Sequence, residues 1–139
     1  LSPCDGIEPS EANSMLEDLD VLQSERGISA GKLQIKGHLC FRRSYDLTFN
    51  PRILDVVEDL IGPNILVFAS RFWIKRGLDN TFVSWHQDSA YMVDTEQHHW
   101  PTVWVPFVPV NKENGAMQLI PGTHKLPVQA HGKETENQP

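Results

Sequence analysis

The feature that most limits how this chain can fold is a change of period at Gly62-Pro63. Upstream, Ile53, Val56, Val57, Leu60 and Ile61 recur at spacings of three and four, the repeat of one buried helix face. Asn50 supplies a cap, Pro51 suits the first helical position, and Gly62 followed by Pro63 stops the pattern, so a helix is expected over 50–61. Glu58 and Asp59 fall on its solvated side. Downstream, residues 65–75 are rich in Val, Phe, Trp and Ile and read as a strand, and 77–80 turn the chain back into a second run, 81–85. Residues 102–110 form the next strand, with Pro106 and Pro109 arguing for an edge position or bulges. Lys112-Glu113-Asn114-Gly115 makes a tight turn, and 116–120 a further strand closed by Pro121-Gly122. Helices followed by closely spaced strands predict an all-β sandwich or barrel with helices packed outside it.

Before this region, Met15, Leu16, Leu19 and Leu22 predict a helix over 10–26. Ser10 is one candidate cap, Ser14 with Glu17 a capping box one turn later, and Gly27 the stop. Residues 28–45 are mixed, with Gly31, Gly37 and the pair Arg42-Arg43 interrupting short apolar pieces, and read as loop with a short strand near 32–35. At 139 residues, one core is expected. The formal charge of −6, from 18 acids and 12 bases, offers no basic patch for nucleic acid or an anionic membrane. No apolar run approaches the roughly 20 residues of a membrane span. Cys4 and Cys40 are too isolated for a disulfide framework or zinc site, so a reducing, cytoplasmic setting is the default expectation. Leu1 in the first position and a polar tail without a structural stop suggest that both ends are cut.

The chemistry centres on Ser84-Trp85-His86-Gln87-Asp88-Ser89-Ala90-Tyr91. On a strand, side chains at i and i+2 leave the same face, so His86 and Asp88 can aim an imidazole and a carboxylate at one point. That donor pair suits a divalent first-row metal, and two histidines with one carboxylate form the facial arrangement of non-haem Fe(II) oxygenases. The pair alone reads equally as a hydrogen-bonded strand histidine beside an aspartate that opens a turn. His98 and His99 lie in a polar loop, 94–100, where solvated surface competes with a ligand role.

Several stretches occur together in a familiar order: Leu60-Ile61-Gly62-Pro63-Asn64-Ile65, Trp85-His86-Gln87-Asp88 with Tyr91, Thr102-Val103-Trp104, and Glu113-Asn114-Gly115-Ala116-Met117 leading to Ile120-Pro121-Gly122-Thr123-His124-Lys125. In these the chain resembles the phytanoyl-CoA dioxygenase family of Fe(II)- and 2-oxoglutarate-dependent oxygenases. The resemblance implies a mainly β fold with flanking helices, a double-stranded β-helix or jelly roll, incomplete at its C-terminal strands. It implies a single partial domain over 1–139, with helical support at 10–61, jelly-roll strands at 64–122 and a loop or tail at 123–139. It makes His86 and Asp88 two of three iron ligands. Trp104 matches a tryptophan that lies against 2-oxoglutarate, a position where a core role is an equal alternative. Arg71 and Gln34 fall near positions lining the co-substrate pocket, Tyr91 is placed to face substrate, and His124 is expected to stabilise its turn.

The implied reaction uses Fe(II), 2-oxoglutarate and O2, releases succinate and carbon dioxide, and most often hydroxylates a small-molecule substrate. Asp88 favours hydroxylation over halogenation, because related halogenases carry a small residue there to admit chloride. The family places its third ligand, a histidine, on a late strand and an arginine beyond it. Here the last arginine is Arg76, and His131 is the one histidine after His124. The setting of His131 resembles the loop after the turn motif, so it is a candidate third ligand of weaker standing than His86 and Asp88. The rival expectations are a non-catalytic jelly-roll remnant or binding module, and a cupin-like metal-dependent hydrolase or isomerase.

Overall fold

In the computed structural model, the described residues are 4–25, 27, 36–75, 82–92, 99–130 and 132. They form two compact units, one comprising Leu1–Ile74 with Pro101–Pro109 and the other Lys75–Trp100 with Val110–Pro139.

The first unit is helical at its centre. Helix α1 spans Pro9–Ser24 and buries Ala12, Met15, Leu19 and Leu22, the apolar stripe at helical spacing. Its start lies upstream of both expected caps. Glu8 is the N-cap, Pro9 takes the first helical position, and the Glu8 N–H donates to the Glu11 carboxylate at 2.7 Å. Proline at that position loses no helical hydrogen bond, so the helix starts there and Ser10 lies within the first turn. Beyond the helix, Gly27 adopts φ +60°.

Helix α2, Arg42–Leu47, lies where the residue pattern predicts loop. Arg42 bonds Asp46 one turn on, Nε lying 2.7 and 2.9 Å from the two carboxylate oxygens, and those contacts raise the Arg42 pKa above its ordinary value. Arg43 reaches Asp18 of α1 at 2.8 Å, and Ser44 is buried. The arginine pair thus belongs to the helix rather than breaking it, since arginine is a good helix former and i,i+4 pairs add support.

Helix α3 spans Pro51–Ile61 as expected. The Asn50 side-chain oxygen accepts the Arg52 N–H at 3.0 Å, while its amide donates to the Gly6 carbonyl at 3.0 Å. One residue therefore caps α3 and holds the chain ahead of α1. Arg52 adds contacts to Glu8 at 2.7 Å and Glu11 at 3.2 Å. At the other end Gly62 leaves the helix with φ +84°. Of the expected apolar face Val57 is buried, whereas Val56 and Leu60 are 39% and 50% exposed, so much of that face has no cover among the described residues.

The core of this unit is Met15, Leu19 and Phe72, with Phe41, Leu47 and Phe107 packed against it. Phe72 lies between two rings, its centroid 5.7 Å from Phe41 and 6.1 Å from Phe107. Gly37 opens a single 3-10 turn, Gly37–Leu39, against the same ring. The Gly37 N–H donates to the Ser70 carbonyl at 3.1 Å, and the Ser70 hydroxyl lies 2.8 Å from both the backbone nitrogen and Nδ1 of His38.

Segments 64–75, 82–87, 101–111 and 116–120 are neither helical nor paired with one another as strands among the described residues. They carry many exposed apolar side chains, among them Leu66, Phe68, Val103 and Leu119. The expected strand near 32–35 lies outside the described residues.

In the second unit the turns expected at 112–115 and 121–122 are present, whereas the turn expected at 77–80 lies outside the described residues. Asn111 and Asn114 bond reciprocally, each side-chain oxygen accepting the other's backbone N–H, at 2.7 and 3.0 Å. Gly115 follows at φ +87°, and the Ala116 N–H returns to the Asn111 carbonyl at 2.8 Å. A Cβ at Gly115 would lie 2.9 Å from the Lys75 Nζ. The Pro-Gly turn leads through Gly122, φ +84°, into a 3-10 turn, Thr123–Lys125. Its side-chain bond comes from the Thr123 hydroxyl, which donates to the Ile120 carbonyl at 2.8 Å. His124, expected in that role, is exposed.

Candidate metal centre

The site is built on residues 84–91 of the second unit. Gln87 is extended, with φ −111° and ψ 125°, and Asp88 opens a single 3-10 turn, Asp88–Tyr91. The chain leaves its strand-like course at Asp88, and the turn brings Tyr91 back over His86, with ring centroids 5.9 Å apart at 63°.

His86 and Asp88 converge as the i, i+2 spacing predicts, with His86 Nε2 3.2 Å from Asp88 Oδ1. The other ring nitrogen, Nδ1, lies 2.7 Å from the Ser84 carbonyl oxygen. A carbonyl only accepts, so Nδ1 carries the hydrogen and donates it. In the neutral ring Nε2 then presents a lone pair to a carboxylate oxygen. Two acceptors at that distance repel unless a proton or a cation lies between them. This is also the arrangement of a metal-binding histidine, whose second nitrogen is fixed by an outer carbonyl so that the first is free to ligate. Imidazole and carboxylate together suit first-row divalent metals, so the residues present fit such an ion. The two side chains are 31% and 47% exposed.

Both bland expectations for the pair also hold here, a hydrogen-bonded histidine and an aspartate opening a turn, and they serve the convergence. The Ser84 carbonyl orients the ring, and the turn places the carboxylate. Sequence reasoning missed the Ser84 contact, because a backbone acceptor leaves no mark in residue type.

Among the described residues, no group of three or more His, Cys, Asp and Glu side chains converges on one point. His131 and Gln34 lie outside the described residues, as does His98, while His99 is exposed. Tyr91 is 68% exposed beside His86. Trp104, 41% exposed, and Arg71, also exposed, belong to the first unit. Cys4 and Cys40 are free and exposed. Among the described residues, no helix is long and apolar enough to cross a membrane.

A family model described as phytanoyl-CoA dioxygenase matches residues 7–139. The chain is similar to a protein of Bos taurus named phytanoyl-CoA dioxygenase, peroxisomal, with 31% identity over 84 residues, 58% of this chain and 25% of the relative. It is also similar to a protein of Stutzerimonas stutzeri named probable alpha-ketoglutarate-dependent hypophosphite dioxygenase, with 31% identity over 94 residues, 68% of this chain and 32% of the relative. The aligned part thus spans between a quarter and a third of the length of these relatives. No solved structure matches the chain. Because the family model runs through nearly the whole sequence and includes the converging His86 and Asp88, the chain belongs to the phytanoyl-CoA dioxygenase family.

Proposed function

We propose that this chain is part of an Fe(II)- and 2-oxoglutarate-dependent dioxygenase, with His86 and Asp88 as two of its metal ligands on a jelly-roll framework drawn from residues 64–122. The observation that carries the reading is the pair itself: in a chain of this family, Nε2 and Oδ1 converge to 3.2 Å while Nδ1 is committed to Ser84. Iron with 2-oxoglutarate bound would supply the oxidising power to convert a C–H bond and O2 to an alcohol, with release of succinate and carbon dioxide.

The residues have separable tasks in this reading. Ser84 keeps His86 in the tautomer that ligates through Nε2. Asp88 contributes the anionic oxygen and lowers the net charge of the bound ion. Tyr91 covers one side of the His86 ring and faces the small-molecule substrate. Trp104, Arg71 and Gln34 are assigned to the co-substrate pocket, and His131 is the candidate for the third ligand. The two relatives are named for unlike compounds, phytanoyl-CoA and hypophosphite, so the substrate class is carried no further than a small molecule.

The second reading is a non-catalytic jelly-roll remnant or binding module that keeps His86 and Asp88 but lacks the third iron ligand. Anaerobic addition of Fe(II) and 2-oxoglutarate to the full-length protein separates them. The catalytic reading requires the weak visible charge-transfer band of the chelate and succinate formation in air. Metal binding without the band or turnover would leave the module.

A further inference from the structure

We infer that Gln87, the residue between the two ligands, is a positioning residue that ties the ligand motif to the segment following the Pro-Gly turn; the inference rests on the metal reading proposed above for His86 and Asp88. Side chains alternate along an extended segment, so the residue that separates two convergent ligands points away from them. The Gln87 side chain reaches residues 127 and 129. Its Oε1 accepts the Gln129 backbone N–H at 2.7 Å, and its Nε2 donates to the Pro127 carbonyl at a longer 3.4 Å. The amide thereby pairs with that segment as a neighbouring backbone would, offering one acceptor and one donor. Gln129 closes the other side of the contact, its own Nε2 donating to the Pro127 carbonyl at 2.7 Å.

The consequence for the site is mechanical. Gln87 shares a peptide plane with each ligand, so anchoring its side chain limits rotation of the backbone that carries His86 and Asp88. Neither Leu nor Met at this position could hold the Gln129 N–H, whereas Glu would keep the acceptor and lose the donor.

The test uses full-length protein. Amide hydrogen exchange without metal reads the tether, and Co(II) titration reads the site. In Q87M the Gln129 amide should exchange about 10-fold faster, with α1 amides unchanged. Co(II) affinity should fall about 10-fold, the loss expected when an outer support of a metal site is removed. Q87E, which keeps the acceptor, should restore most of the Gln129 protection. Unchanged Gln129 exchange in Q87M would overturn the tether, as would faster exchange throughout the molecule, which would make Gln87 a general structural residue. A loosened Gln129 amide with unaltered Co(II) affinity would overturn the positioning role. If the unsubstituted protein bound no Co(II), the metal reading would fall and the positioning role with it, while the exchange result would still decide the tether.

Discussion

Replacing Gly37 with alanine should destabilise the first unit by crowding alone. Gly37 is not among the glycines with positive φ, so alanine can adopt its backbone conformation without strain. The obstacle is the ring of Phe72. A Cβ at position 37 would lie 2.5 Å from one ring carbon and 2.7 Å from the next, inside the separation at which carbon atoms attract, about 3.5–4.0 Å. Relief requires a shift of about 1 Å. Phe72 has little room to yield, being 9% exposed and set between Phe41 and Phe107. The turn is also held, by the Gly37 and His38 bonds to Ser70. Overpacking of this kind costs about 1–3 kcal/mol. For a protein of this size that corresponds to a Tm lower by roughly 3–15 °C, measurable by circular dichroism. The double variant G37A/F72L separates crowding from other causes, because removing part of the ring should make the pair less destabilising than the sum of the single changes by at least about 0.5 kcal/mol. A Tm for G37A within about 1 °C of the parent, or strict additivity in the double variant, would refute the reasoning.

Other consequences can be measured on the same material. Met15→Ala removes a side chain that is 3% exposed at the centre of the core and should cost about 2–5 kcal/mol in chemical denaturation. Asn50→Ala loses both the α3 cap and the bond to Gly6, and should cost about 1–2 kcal/mol, with an added loss of protection in the residues ahead of α1. Arg52→Met removes solvent-exposed contacts to Glu8 and Glu11, so any fall in Tm should shrink as salt is raised; a salt-independent loss would show that the arginine acts through packing instead. Asp88→Asn and His86→Ala should each weaken Co(II) binding by at least about 100-fold, the upper end of what loss of an outer-shell partner costs. Their Tm without metal should stay near the parent value, because both side chains are partly solvated.

The sequence by itself determined whatever depends on neighbours along the chain. Asn50-Pro51 and Gly62 set both ends of α3 because a cap, a fixed φ and a positive φ are local properties. The Asn114-Gly115 and Pro121-Gly122 turns were legible for the same reason. The convergence of His86 and Asp88 follows from the two-residue period of extended chain, and the family is written in motifs that survive as residue types. Helix α2 was not legible, because its support from Asp18 comes from a distant helix and its Arg42-Arg43 start carries no apolar period. The start of α1 was misplaced because Ser10 and Ser14 are better intrinsic caps than Glu8, and the clamp from Arg52 that favours Glu8 arrives from across the fold. Only tertiary structure decided that Gly37 must be glycine, since the ring it avoids is 35 residues away in sequence and adjacent in space. It alone decided that Gln87 faces residues 127 and 129, and that a backbone carbonyl chooses the tautomer of His86. Such contacts join residues remote in sequence, or use backbone atoms common to every residue, and so leave no periodic or compositional trace.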